Sequence, residues 1–171
     1  ERYSSLVDER GQRYFSFITS SARNMQKMVA DVLNFSRVGR EEIHYDLVDC
    51  NQLVAEVLEE YDEVLRQTDA RVIVSDLPTI QTSPTLIRLL FQNLIGNALK
   101  FHEASKAPEV RIEAQKTNRN GVPMWVFSIV DNGIGIDPKF ADKVFAVFQR
   151  IHRKEEYSGT GIGLSTCKKF I

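Results

Sequence analysis

Only two cysteines occur in the 171 residues, Cys50 and Cys167, far apart and without metal-site spacing. That rules out a disulfide framework and a zinc-binding class. It makes a reduced, cytoplasmic setting the expected one, whether the parent protein is free or membrane-associated. No apolar run approaches the length of a membrane span, and no signal peptide opens the chain. An excess of one charge is also missing. Lys and Arg total 22 against 23 Asp and Glu, a net charge of −1, so no nucleic-acid partner is expected. Repeats and low-complexity tracts are absent, and so is the G-x-x-x-x-G-K-[ST] loop of P-loop enzymes. What is present is a 43 % apolar composition, enough for a packed core. The length suits one domain, or a small domain with a helical extension. The chain starts on charged Glu1 and stops at Phe170-Ile171 in mid-pattern, so it is expected to be a piece of something longer.

Residues 12 to 38 read as one long helix. Phe15, Ile18, Ala22, Met25, Val29, Val32 and Ser36 follow a 3-4-3-4 spacing, a heptad seam that favours helix-on-helix packing and a dimer. Asp8 to Gly11 look like a hairpin loop entering that helix, residues 1 to 6 like the tail of a preceding antiparallel helix, and Gly39 like its stop. A second unit begins near Arg40. Residues 42 to 49 alternate as a strand, with Ile43, Tyr45 and Leu47 on one face. Asp49 and Gln52 form a capping-box pattern before a helix that runs to about Thr68. Residues 71 to 75 are a short β-rich run. Ser83-Pro84 opens another helix, carrying Leu86, Leu89, Leu90, Leu94 and Asn97 and ending near Phe101. Residues 110 to 117 and 124 to 131 read as strands joined through the Asn120-Gly121 hairpin signal. A last helix starts around Gly161.

Three stretches carry chemistry. Asn93 and Asn97 lie four apart on the third helix, with Lys100 three further on, so all stay near one face. An asparagine carbonyl is a suitable hard ligand for Mg²⁺, and Lys100 offers a cation to a phosphate. A polar helix edge with satisfied amides is the plain alternative. Asp131 ends what reads as a buried apolar strand, where a carboxylate needs a partner. An adenine amino group is one such donor, and Gly133 and Gly135 would let the backbone approach a flat base. A tight turn after a strand would explain the same residues. Gly159, Gly161 and Gly163 precede a helix, where backbone N–H groups and the positive dipole end suit a triphosphate. Between them and Phe148, the basic residues Arg150, His152, Arg153 and Lys154 read as a lid, with Phe140, Phe145 and Phe148 anchoring it on an apolar wall.

The order of these stretches closely resembles the N, G1, F and G2 boxes of bacterial sensor histidine kinases. The segment FQRIHRKEEYSGTGIGL looks most like the phytochrome-type and multi-sensor members, and DVLNFSRVGR resembles the second helix of their dimerisation hairpin. The resemblance implies an α+β fold, a two-layer α/β sandwich with helices on one face of a mixed sheet, preceded by a hairpin helix. Residues 1–39 would be part of the dimerising, phosphoacceptor hairpin, and residues 40–171 the ATP-binding catalytic domain. It implies ATP and Mg²⁺ as cofactors, Asn97 as the metal ligand, and Asn93 as its neighbour near metal or phosphate. Lys100 would meet a phosphate and Asp131 would read adenine. Gly133, Gly135, Ile136, Phe145, Phe148, Gly159, Thr160, Gly161, Ile162, Gly163 and Leu164 would shape the pocket and lid, and Arg150 is a candidate phosphate contact. A homodimer and the receiver domain of a response regulator are the implied protein partners. The chain departs from the pattern at the phosphoacceptor, because none of His44, His102 and His152 fits His-[Asp/Glu]-x-x-x-Pro. His102 reads as a surface residue, and the chain alone is expected not to phosphorylate itself. Gyrase-type or mismatch-repair ATPases, serine kinases of the anti-sigma type, and a degenerate dimerisation module are the rival expectations.

Overall fold

A computed structural model describes residues 8–37, 44–151, 157 and 159–171, with Asn34 and Arg37 described in their backbone only. The expected tail at residues 1 to 6, Gly39, Ile43 and the basic residues His152, Arg153 and Lys154 lie outside these residues.

Helix α1 spans Glu9–Arg37. It begins earlier than expected, since Asp8 already caps it by accepting from Gly11 N at 2.8 Å, so Gly11 lies inside the helix instead of in a loop. Its apolar seam faces solvent among the described residues, with Phe15, Ile18, Met25 and Val29 all about 60 % exposed. Strand β1 (Asp46–Asp49) pairs antiparallel with β3 (Thr79–Thr82), a strand the sequence did not advertise because only Ile80 in it is apolar. The buried residue of β1 is Val48, whereas Tyr45 and Leu47 are both exposed.

The helix expected from residue 50 to Thr68 is two helices, α2 (Cys50–Glu59) and α3 (Asp62–Thr68). Asp49 Oδ1 caps α2, accepting from Asn51 N and Gln52 N, while the Gln52 side chain turns to Glu56 and leaves the capping box half made. The break falls at Tyr61, whose hydroxyl donates to Gln92 O at 2.9 Å on the next helix and whose ring lies against Gly96. Helix α4 runs Pro84–Lys100. Its buried face is Ile87, Leu90, Phe91, Ile95, Ala98 and Leu99, with Leu86, Leu89 and Leu94 at its flanks.

The mixed sheet follows the order β2-β4-β5. Strand β2 (Arg71–Val74) pairs parallel with β4 (Glu109–Arg119), which pairs antiparallel with β5 (Val122–Asp131) through the two-residue Asn120-Gly121 turn. Both turn residues have positive φ, 53° and 83°, the geometry that matches strand twist. Helices α2 and α4 cover the sheet, joining Val54, Val57, Phe91, Ile95 and Leu99 to Val110 and Ile112 in one core. Phe91 meets Phe127 of β5 edge-on at 5.6 Å. Strand β5 is more open than the sequence implies: Val126 and Val130 are exposed, and Phe127 and Ile129 are its half-buried residues. Helix α5 (Gly163–Phe170) packs on α4. Cys50 and Cys167 are buried, and burial raises both thiols to about 11, as suits inert packing residues. No described helix is long and apolar enough to cross a membrane.

Candidate nucleotide site

The site is built on α4. Its 3.6-residue period turns one face into the core and leaves Asn93, Asn97 and Lys100 on the next face, beside a cavity of about 1290 Å³. That volume is ample for a drug-sized or nucleotide-sized ligand. The Asn97 amide has no hydrogen-bond partner among the described residues and lines the cavity. Asn93 is used differently. Its Nδ2 donates to Leu89 O at 2.9 Å, which aims Oδ1 at the backbone of Gly163, where an added Cβ would collide with it. Asn93 thus sets how closely the start of α5 approaches α4.

Lys100 is half-buried, its ammonium 4.0 Å from the Phe101 ring centroid. Burial first, then the positive charges of Lys27 and Arg150, push it down to about 8. No carboxylate pairs with it among the described residues. A lysine pressed toward neutrality in this way is stabilised by an anion.

The first glycine turn follows β5. Asp131 lines the cavity and is exposed, with Oδ1 accepting from Gly133 N at 2.9 Å. Asn132 laces the turn to the start of β4: Oδ1 accepts from Glu109 N at 2.8 Å and Nδ2 donates to Ala107 O at 3.0 Å. Gly133 is off the cavity. A Cβ there would strike Phe101 O and lie 2.7 Å from Asp131 Oδ1, so glycine is what lets Ile134 N reach Phe101 O at 3.0 Å. Gly135 and Ile136 line the cavity. Asp137 then caps a short 3-10 turn, Pro138–Phe140, by accepting from Lys139 N.

The second glycine turn leads into α5. Gly159, Thr160, Gly161, Gly163 and Leu164 line the cavity, while Ile162 is buried behind them. Arg150 lines it too, and its guanidinium donates to Tyr157 O at 2.5 Å. The aromatic anchors differ from expectation. Phe145 and Phe148 are exposed and off the cavity, and the buried anchor of that segment is Val144. A short side chain fits there because the 3-10 turn Lys143–Phe145 packs on α5. Phe148 adopts a positive φ of 63° while its N–H donates to Gly161 O at 3.0 Å, tying it to the glycine turn. His102 is not a plain surface residue: it is half-buried, lines the cavity, and its Nδ1 lies 2.8 Å from Leu99 O. Sequence reasoning missed Tyr157, which packs on Phe101 at 5.0 Å and donates its hydroxyl to His102 O, and it missed Lys27 and Asp31 of α1 at the cavity.

A family profile described as histidine kinase-, DNA gyrase B-, and HSP90-like ATPase matches residues 82–171, the part of the chain that holds α4 and both glycine turns. The chain belongs to that ATPase family. Among the relatives of the chain, cyanobacterial phytochrome A of Nostoc sp. is 37 % identical over 99 % of the chain and 22 % of the relative. The adaptive-response sensory kinase SasA of Rippkaea orientalis is 30 % identical over 87 % of the chain and 38 % of the relative. The chain thus spans well under half the length of these relatives. Among solved structures, full-length ShkA in complex with AMPPNP superposes with a TM-score of 0.72 at 26 % identity, covering 96 % of the chain and 34 % of ShkA. The α+β architecture of the chain, with a long helix leading into a helix-covered mixed sheet, is the fold seen in ShkA.

Proposed function

We propose that the chain is the ATP-binding catalytic region of a two-component sensor histidine kinase, with residues 1–39 contributing part of a dimerising helical hairpin and residues 40–171 the nucleotide domain. The observation that carries this reading is the convergence of Asp131, Asn97, Lys100 and the second glycine turn on one cavity, inside the segment that matches the ATPase family. Asp131 accepts from the adenine amino group. Lys100 and Arg150 meet phosphate oxygens, and the N–H groups at the start of α5 face the same anion. The Asn97 carbonyl is a neutral hard ligand with no other partner among the described residues, so the donor set suits Mg²⁺. Bound there, Mg²⁺ would neutralise charge on the phosphates.

Phosphoryl transfer asks the protein mainly for positioning and charge neutralisation. The residues of this chain hold the base and gather the phosphates. The acceptor is a histidine of the parent protein, and an aspartate on a response-regulator receiver domain takes the phosphoryl group next. His44, His102 and His152 lack the acceptor pattern, so this chain alone takes up no label from γ-labelled ATP.

Titration calorimetry with ADP tests the pocket. The wild-type chain should bind saturably. Asp131→Asn, which swaps an acceptor for an amide facing the adenine amino group, should weaken binding at least about a hundredfold. Undiminished binding by Asp131→Asn would remove the adenine role.

A further inference from the structure

Helix α1 reaches the nucleotide cavity directly. Lys27 and Asp31 lie one helical turn apart and both line it. Asp31 Oδ2 accepts from the Thr160 hydroxyl at 2.5 Å. One turn further, Phe35 O accepts from Lys169 Nζ at 2.9 Å, and that ammonium lies 4.5 Å from the Phe35 ring. One face of α1, stepping four residues at a time, is therefore fixed to the second glycine turn and to α5. That docking carries the Lys27 charge to the same place as Lys100 and Arg150. After burial, Lys27 is the largest influence that disfavours the charged form of Lys100, ahead of Arg150. Three cations drawn together against their mutual repulsion form a site for a polyanion. The nearby carboxylate of Asp31 is already engaged by Thr160.

We infer that Lys27 is a phosphate-binding residue of the nucleotide site and that the Asp31–Thr160 hydrogen bond positions it there, so that α1 is one wall of the site instead of a helix that only precedes it. This rests on the nucleotide reading above, and it adds to the pocket a residue from outside the segment that matches the ATPase family. Its ligand is the di- or triphosphate, not the base. A lysine that merely coats a solvated helix would leave nucleotide affinity untouched.

The test compares ATP with adenosine, which shares the base and lacks the phosphates, by calorimetry on the whole chain. Position 27 is exposed on a helix, where alanine is well tolerated, so the variant keeps its fold. Lys27→Ala should weaken ATP about fivefold while leaving adenosine unchanged, and Lys27→Arg should restore ATP binding. In an Asp31→Ala background the Lys27→Ala effect should shrink toward onefold, because the lysine is then no longer held in place. Unchanged ATP affinity in Lys27→Ala, or equal losses of ATP and adenosine, overturns the phosphate role of Lys27. An undiminished effect in the Asp31→Ala background overturns the positioning role of Asp31. A wild-type chain that binds neither ligand overturns the pocket itself, and this assignment with it.

Discussion

The two glycine turns of this chain look alike in sequence and are held in different ways. The first, at Asp131–Gly135, secures itself. Asp131 accepts from Gly133 N, Asn132 laces the turn to β4, and Ile134 N donates to Phe101 O. Its neighbours are backbone, so its shape is fixed once the sheet and α4 have formed. The second, at Gly159–Leu164, is held by side chains from elsewhere: Asn93 of α4 sits against Gly163, Asp31 of α1 takes the Thr160 hydroxyl, and Lys100 would lie 2.9 Å from a Cβ on Gly159. The proposed base end of the pocket is thus held by backbone contacts, while the proposed phosphate end depends on the position of two helices. Such a division suits a nucleotide that docks by its base and reorganises the rest.

The sharpest way to break the first turn is Gly133→Ala. The new methyl group meets the Phe101 carbonyl, which belongs to a helix end and cannot step aside without losing the Ile134 bond. We expect a loss of about 2–3 kcal/mol, read as a lowered denaturant midpoint, with no second-site side chain able to rescue it. A midpoint within about 0.5 kcal/mol of wild type would mean that the turn is not backbone-locked.

Lys100 tests the charge at the second turn. Its ammonium titrates near pH 8, well below the ordinary lysine value, so in the absence of ligand the folded state resists protonation and stability rises as pH climbs from about 8 toward that value. Bound phosphate favours the charged form and raises the proton affinity again. Binding therefore takes up a proton above pH 8, and ADP affinity should fall about tenfold between pH 7 and pH 9. Lys100→Arg, which stays charged throughout, should give a flat profile, and an equally steep one would move the titrating group elsewhere.

Parts of this arrangement are legible in the chain and parts are not, for separable reasons. The α4 face with Asn93, Asn97 and Lys100 can be read because helical periodicity alone puts the residues together. The Asn120-Gly121 hairpin and the Asp49 cap can be read because each is local chemistry. The split between α2 and α3 cannot: Glu60 and Tyr61 carry no breaker signal, and the break is imposed by the bond from Tyr61 to Gln92 O in another helix. Strand β3 has a single apolar residue, and β1 buries Val48 and exposes Leu47, because pairing decides the face. The aromatics of the Phe145–Phe148 stretch draw attention by size, yet the small Val144 is the one that packs. Lys27 and Asp31 resemble any solvated helix residues until α1 is docked on α5.

A smaller effect separates steric fit from chemistry at the second turn. In Gly163→Ala the new methyl meets the Asn93 amide, a side chain with some freedom to turn, so we expect about 1 kcal/mol of destabilisation. Trimming the neighbour should recover most of it, and an Asn93→Ser, Gly163→Ala double variant should be closer to wild type than the sum of the single changes. Strict additivity would mean that Asn93 does not set the approach of α5. The smallest expected change is at Asn97, four residues on, where the amide faces the cavity and holds nothing else among the described residues. Asn97→Ala should leave the midpoint unaltered and weaken ADP about threefold when Mg²⁺ is present and not when it is chelated. If the loss is the same with and without the ion, Asn97 touches the nucleotide itself, and the asparagines of α4 divide between packing and ligand, with neither reserved for metal.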